Sequence, residues 1–448
     1  MNLRALTAYA GVATIVIAPA AAQQVRYDTR TLDNGLRVVL VEDHSAPVVT
    51  VDLWYAVGSA DEVRGRTGFA HLFEHMMFQG SANLEKDEHG SLVERAGGLI
   101  NASTMSDATN YFQVLPANRL NLGLWLEAER MRNLSVTPEA LDNQREAVKE
   151  ERRQRIDNQP YFPAVLDAMG APFDEGGCFA YAHPNIGLME DLDAANIGDV
   201  RAFFDRHYVP NNATLTIVGD FDPDDAMQLV RNYFGEIPRG PEHTDPTCAW
   251  SKGAEPRTVE WEDPLATLPA VLATFAVPAH DHADTPAIEI LSQILGTGET
   301  SRFNQSLVRE QQVALQVQAL SNSQRLAGAV IILGIANQGV AADSLAGSIH
   351  AAIARVLENG VTEEELGTAK NRLRATRVMG QQTTMQVAEH VQHFVHLHDD
   401  LAEINSDLDR YLAVTANDVL RVARAYLTPE NRITYLVVPA AGGERPVP

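Results

Sequence analysis

The stretch of sequence that decides the fold is HLFEH, at residues 71–75. On an α-helix, positions i and i+4 lie one above the other, so the imidazoles of His71 and His75 can reach one metal ion. Glu74, at i+3, shares their face and can act as general base on a zinc-bound water. Apolar residues flank the stretch and Gly80 follows it, which predicts a core helix. The alternative is a chance grouping of two histidines and a glutamate.

A catalytic zinc ion takes three protein ligands, so the third must come from elsewhere in the chain. The predicted helix from Asp142 to Arg155 offers Glu146, Glu150 and Glu151. Glu150 and Glu151 point about 100° apart on a helix, so only one of these two can face the ion. Spacing alone leaves the choice open. A set of two histidines and one glutamate suits Zn²⁺ but would also accept cobalt or manganese.

Length and charge limit the kind of partner. A chain of 448 residues with 45% hydrophobic and 21% charged residues is an ordinary globular composition, long enough for about two to four domains. The formal net charge of −24 argues against nucleic acids and anionic membranes, because phosphate groups would be repelled. Neutral or basic peptides are better tolerated partners.

The first 22 residues have the pattern of a secretory signal peptide. Arg4 precedes an apolar run from Ala5 to Ile17, and small residues at 20–22 form a cleavage site before Gln23. We therefore expect export to the periplasm and a mature chain that starts at Gln23. The alternative is a short membrane anchor, but the run falls short of the ~20 residues that span a bilayer, and no later stretch approaches that length.

The chain has two cysteines, Cys178 and Cys248, both in loop-like sequence rich in Gly, Pro and Asp. Export to an oxidising compartment makes them candidates for one disulfide. Two free thiols are the alternative, because sequence does not show whether their Cα atoms approach within ~7 Å.

The chain divides into two similar halves. A linker at residues 239–257, rich in Pro, Gly, Asp, Glu and Thr, separates residues 23–238 from residues 258–448. A pattern of helix, turn and strand recurs at an offset of 219 residues, and an internal duplication explains it best. The matched positions are Asp199, Val200, Pro210 and Asn212 in the first half and Asp418, Val419, Pro429 and Asn431 in the second.

The second half keeps this pattern without the ligands. The same offset carries the HLFEH positions to Ile290, Gln293 and Ile294, in an apolar helix that can bind no metal through those side chains. Catalysis is therefore expected in the first half, while the second half binds substrate or encloses the site.

We expect the other histidines to have structural roles and not to bind metal. A cluster before Asp399 invites a second metal site, but its spacing never gives an i, i+4 pair, so exposed or core histidines are favoured. His183 and His207 stand alone, and we assign them no role. The cluster consists of His390, His393, His396 and His398.

The second glutamate of AVKEE follows HLFEH in the chain, 76 residues after His75. Together, the two stretches resemble the inverted zinc motif of the pitrilysin-type metallopeptidases. These form the M16 family, which includes mitochondrial processing peptidase and insulin-degrading enzyme. The resemblance selects Glu151 as the third ligand. It extends over nearly the whole mature chain through short matches at residues 32–36, 58–59, 61–62, 98, 101–102, 107, 109, 111, 186–187, 208, 210–212 and 218–220.

The resemblance implies an α+β fold of the LuxS/metallohydrolase-like type, in which two homologous α/β-layer domains form a half-clamshell. Two such halves enclose a chamber for peptides. An edge strand at Asn101 and Ala102 would bind substrate backbone as an added strand, unless it is an ordinary sheet strand. Phe78 would line the first primed pocket, unless it is a core aromatic residue.

One departure concerns the second half. The family places an Arg and a Tyr, seven residues apart, across the chamber from the metal, where they grip substrate and stabilise the tetrahedral intermediate. The matching region keeps Arg309 but has Gln316 in place of the tyrosine. Loss of such a hydroxyl can cost ~3 kcal/mol, so we expect a heterodimer whose zinc-free sibling supplies the Arg/Tyr pair, with a homodimer as the alternative. A non-catalytic peptide-binding or assembly subunit is the alternative to an enzyme.

Overall fold

The computed structural model describes residues 24–173, 177–248, 255–398 and 400–440. The predicted signal peptide, residues 1–22, and part of the predicted linker, residues 249–254, lie outside the described residues. Across the part of the chain that the structure describes, no helix has both the length and the apolar character needed to cross a membrane.

The first half contains a six-stranded sheet with the order β1-β2-β6-β3-β5-β4. Its central strand, residues 48–55, is rich in β-branched and aromatic residues and is buried almost throughout, as expected for a strand covered on both faces. The strands are β1 Asp28–Thr31, β2 Arg37–Glu42, β3 Val48–Tyr55, β4 Leu99–Thr104, β5 Thr109–Pro116 and β6 Ala213–Gly219.

The helices of the first half that are given below follow β3 in the chain and end before the linker. Thr137 accepts a hydrogen bond from the backbone of Ala140, and Pro138 opens the helix after it, which is a strong start signal. The helices are α1 Phe69–Met76, α2 Glu88–Arg95, α3 Leu120–Asn133, α4 Pro138–Arg152, α5 Phe162–Gly170, α6 Met189–Ala194, α7 Ile197–His207 and α8 Pro223–Phe234.

The second half contains a five-stranded sheet with the order β7-β11-β8-β10-β9. The strands are β7 Arg257–Asp263, β8 Ala270–Val277, β9 Ala314–Ser323, β10 Gly328–Ala336 and β11 Arg432–Pro439. The helices are α9 Thr285–Gly296, α10 Ala342–Asn359, α11 Glu363–Met379, α12 Thr384–His398, α13 Asp407–Ala413 and α14 Ala416–Tyr426.

The two sheets repeat one topology. Strands β2-β6-β3-β5-β4 correspond in order to β7-β11-β8-β10-β9, and the first pair is parallel in both sheets while the other neighbours are antiparallel. Helix α9 occupies the place in the second half that α1 has in the first. The prediction of an α+β fold with two homologous domains is confirmed.

Each half also contributes a helix to the sheet of the other half. Apolar residues of α12, among them Val391 and Phe394, pack on Val39 and Val218 of the first sheet. The fully buried Gln392 donates hydrogen bonds to two backbone carbonyls of that sheet, at 3.1 and 2.9 Å. In return α5 packs on β8 and β11. The two halves therefore share their cores.

Candidate metal centre

Helix α1 presents the HLFEH residues from a well-anchored N-terminus. Gly68, just before the helix, has φ +84°, and a Cβ there would lie 2.7 Å from a backbone oxygen, so glycine is required. The Glu62 carboxyl group accepts hydrogen bonds from the backbone N–H groups of Gly68 and Ala70, both at 2.8 Å. These bonds satisfy donors that have no partner inside the helix, and they fix the first turn of α1.

Helix α4 brings the third side chain. An oxygen of Glu151, at the end of this helix, lies 3.7 Å from Nε2 of His71 and 3.3 Å from Nε2 of His75. Glu150 instead points to solvent and pairs with Arg153, and Glu146 pairs with Lys149. Of the three glutamates that spacing left open, Glu151 is the one that meets the two histidines.

These three residues fit a zinc ion. The Glu151 oxygen lies 3.7 and 3.3 Å from the two Nε2 atoms, close to the ~3.3 Å that separates the ligand atoms of a tetrahedral site, and one ligand atom from each residue lies within 4.8 Å of the others. Nδ1 of His75 lies 3.3 Å from Oε1 of Gln144, which favours the tautomer that leaves Nε2 free for metal. Nδ1 of His71 is buried and has no hydrogen-bond partner among the described residues. Two imidazoles and a carboxylate are one of the donor sets found in catalytic zinc sites.

Charges at the centre favour the ligating forms of two of these groups. Burial lowers the pKa of His71 to about 4, so its imidazole is neutral at pH 7. Burial also opposes a charge on His75, but its hydrogen bond to Glu151 and that carboxylate's charge raise its pKa overall. The same hydrogen bond lowers the pKa of Glu151, which stays ionised.

Glu74 lies beside these ligands and is held by strand β4. Thr104 Oγ1 donates a hydrogen bond of 2.6 Å to Oε2 of Glu74. Burial raises the pKa of Glu74, as a general base that works near neutral pH requires. Because Thr104 ends the strand that contains Asn101 and Ala102, the predicted substrate-binding edge runs next to the base. This strand is the last one in its sheet.

The other predicted substrate-binding residues lie in different surroundings. Phe78 follows α1 and packs near the rings of His89 and Tyr111, with the Arg130 guanidinium 5.5 Å from its ring centre. Arg309 is about half exposed and pairs with Glu299 at 2.6 Å. No described contact links Arg309 to the metal-ligand cluster.

Two further expectations concern histidines and cysteines. Within the described ranges, the groups of His, Cys, Asp and Glu that could hold a metal ion do not include the cluster at residues 390–398. His396 instead packs near the ring of Trp54, and His398 hydrogen-bonds His280. Cys178 and Cys248, for which the sequence left both alternatives open, form a disulfide.

Sequence reasoning missed two residues that position the site. Thr104 and Glu62 touch the metal-bearing helix or its base, yet neither has a ligand's pattern. Glu62 lay within one of the short family matches, and that was its only signal.

The fold and this cluster together define a class, the zinc metallopeptidases whose motif is HxxEH with a distant glutamate. The chain belongs to peptidase family M16. The model described as insulinase (peptidase family M16) matches residues 37–171, and that described as the peptidase M16 inactive domain matches residues 194–373. The second match includes Ile290 and Ile294, which occupy the positions that correspond to His71 and His75 in the first half.

Individual relatives agree with this assignment. Zinc protease PqqE of Helicobacter pylori is 30% identical over 419 residues, 92% of this chain and 93% of that protein. The beta subunit of the mitochondrial-processing peptidase of Blastocladiella emersonii is 23% identical over 88% of this chain and 85% of its own. The crystal structure of a protease from Helicobacter pylori superposes with a TM-score of 0.86 at 28% identity, covering 93% of this chain and all of that one.

Proposed function

We propose that this protein is a zinc-dependent metalloendopeptidase that hydrolyses peptides or unfolded polypeptides in an enclosed chamber. The observation that carries this proposal is the convergence of His71, His75 and Glu151 with Glu74 beside them. The names of the relatives support zinc as the metal.

The chain's own residues supply the proton transfers. A bound zinc ion would act as a Lewis acid on the scissile carbonyl and would lower the pKa of water at the site. Glu74, held by Thr104 at 2.6 Å, accepts a proton from the attacking water and returns it to the leaving amine. Its raised pKa suits both steps, because a very weak base would not take the proton.

Substrate is proposed to bind along β4. The sheet order ends at this strand, so one side of its backbone has no neighbour within the sheet. Leu99 is 70% exposed at the start of the strand, and Asn101 is exposed as well. An extended peptide that adds to this edge would pass Thr104 and reach Glu74. Any extended peptide could bind in this way, because the contacts are to backbone.

The second half is proposed to need a partner. Gln316 lies exposed on the edge strand β9, at the position where the family has a tyrosine, and Arg309 is paired with a glutamate. We infer that a sibling subunit without the zinc motif supplies the Arg/Tyr pair. If so, the chain purified alone should be about 100-fold less active than the pair, as expected for ~3 kcal/mol. Full activity of the chain alone would contradict this part of the proposal.

Export to the periplasm is also a proposal. It is based on residues 1–22, and the disulfide between Cys178 and Cys248 supports it, because disulfides persist in oxidising compartments.

The decisive test separates the base from the ligands. Glu74→Gln should retain zinc but lose cleavage of a quenched peptide by at least about 100-fold, since it cannot accept the proton. His71→Ala should lose both the zinc and the cleavage. Glu150→Gln is the matched control, because it changes an exposed carboxylate next to Glu151, and it should behave as wild type. Cleavage retained by Glu74→Gln would refute the assignment.

A further inference from the structure

Three residues from separate segments form a second group in which metal-ligand atoms converge. Asp61 ends a short 3₁₀ turn after β3, His207 is the last residue of α7, and His243 lies in the linker. One ligand atom from each lies within 4.8 Å of the others. Nε2 of His243 is 3.6 Å from Oδ1 of Asp61, near the ~3.3 Å between ligand atoms of a tetrahedral site.

The group is enclosed and oriented. The Asp61 side chain is 6% exposed, that of His243 is 18% exposed, and His207 is 8% exposed. The backbone N–H of Gly58 donates to Oδ2 of Asp61 at 3.0 Å, which leaves Oδ1 directed at His243. A cavity of about 20 Å³ borders both Asp61 and His243 and has room for about one water-sized species.

The surrounding charges favour a cation. Asp107 and Arg325 line the same cavity, and Arg325 is paired with Asp245. The carboxylates of Asp61 and Asp107 thus line the cavity with one guanidinium, and Asp245, outside the lining, lies 3.3 Å from Nε2 of His243. Nearby Arg206 adds a second positive charge, so the three carboxylates exceed the guanidinium groups by one.

We propose that Asp61, His207 and His243 bind a structural divalent cation, of which Zn²⁺ has the best-matched chemistry, and that this ion fastens the linker to the first half. Two imidazoles and one carboxylate form a zinc-type donor set with one position left for water. Other contacts hold the same linker. Gly240 donates its N–H to Asn211 at 2.7 Å, and Cys248 forms its disulfide five residues after His243.

The number of zinc ions bound per chain tests the proposal. The full chain is stripped of metal with a chelator, equilibrated with Zn²⁺ alone and desalted, and its bound zinc is then measured by mass spectrometry. Wild type should hold two ions per chain, while His243→Ala and His71→Ala should each hold one. The double variant should hold none. The control is His44→Ala, which removes an exposed histidine that pairs with Glu42 and Asp220 and should leave two ions.

Cobalt gives a second readout that does not depend on activity. The His71→Ala chain loaded with Co²⁺ should show visible d–d absorption of a tetrahedral site, and adding His243→Ala should abolish it. Because His207 is buried in α7 and its loss would disturb that helix, the half-buried position 243, which lies in the linker outside any helix or strand, is the informative one.

Two outcomes would overturn the proposal. The first is that the wild-type chain holds a single ion, which His71→Ala loses and His243→Ala keeps. His243 would then only hydrogen-bond the carboxylates of Asp61 and Asp245. The other is an unchanged cobalt spectrum in the double variant. Failure of the catalytic assignment looks different, because His71→Ala would then keep every ion that wild type holds.

Discussion

Removal of the Glu62 carboxyl group should loosen the helix that carries HLFEH without touching its ligands. Glu62 is 6% exposed, and its two oxygens accept the N–H groups of Gly68 and Ala70 at 2.8 Å. In Glu62→Ala both donors lose their acceptor in a site that has little access to water. Glu62→Gln keeps one acceptor oxygen and should therefore lose one of the two bonds.

The size of the effect follows from the two bonds. Loss of an N-terminal cap costs about 0.5–2 kcal/mol, and a buried N–H without a partner costs about 1–3 kcal/mol. These costs overlap, so the local opening of α1 should become easier by about 2–4 kcal/mol in Glu62→Ala. At 1.36 kcal/mol per factor of ten, its amide hydrogens should exchange about 30–900 times faster. Glu62→Gln should give an intermediate acceleration.

Hydrogen exchange measured by mass spectrometry on a peptide covering residues 66–78 reports this opening directly. Zinc content, measured on the same samples, shows whether His71 and His75 still bind the ion in the loosened helix. Glu150→Ala is the control, because its exposed carboxylate pairs only with Arg153 and Gln154 and lies away from α1. Exchange in Glu62→Ala within about threefold of wild type would refute the capping role.

Two further substitutions test the base and a buried carboxyl group. Thr104→Val removes the hydrogen-bond donor to Glu74 and should lower kcat/KM for a quenched peptide about 10–100-fold, with zinc content unchanged. Ser103→Ala is the control and should have no effect. An equal loss of activity in both variants would contradict a specific role for the Thr104 contact. Burial raises the pKa of Glu289 to about 7, although a hydrogen bond from Tyr411 opposes the rise. The folded chain therefore keeps a proton on Glu289 that the unfolded chain releases above pH ~4.5. The free energy of unfolding should fall as the pH rises from about 4.5 to about 7. Glu289→Gln should therefore gain about 1–2 kcal/mol at pH 8 and nothing at pH 4 in urea denaturation, and an equal gain at both pH values would contradict this explanation.

Local pattern was enough to predict the elements that carry the ligands. The core helix predicted around HLFEH and the predicted helix that holds the three glutamates appear in the structure as α1 and α4, because apolar periodicity and glycine signals act over a few residues. The choice of Glu151 over Glu150 needed the family resemblance. Helix phase separates the two side chains but does not show which side of α4 faces α1, since that depends on packing between distant segments.

The exchange of helices between the halves could not be predicted from the sequence. Helix α12 is apolar enough to be buried, but its pattern does not show that it packs on Val39 and Val218 of the other half. Nor does any local signal show that Gln392 meets carbonyls of β3 and β6. Such contacts depend on how two complete layers dock, and a fully buried amide then fixes their register.

The same limit explains why His207 seemed isolated in the sequence. HLFEH is visible because one helix places its ligands at a fixed spacing, whereas the group of Asp61, His207 and His243 is assembled from a turn, a helix end and a linker. A linker without periodicity has no phase from which a neighbour could be inferred, so its histidine carries no signal until the chain is folded. Metal ligands supplied by separate segments do hold a fold together in structural zinc sites, where binding free energy becomes folding free energy. The histidine of this linker, His243, is thus the residue that most directly tests whether an ion fastens the linker to the first half.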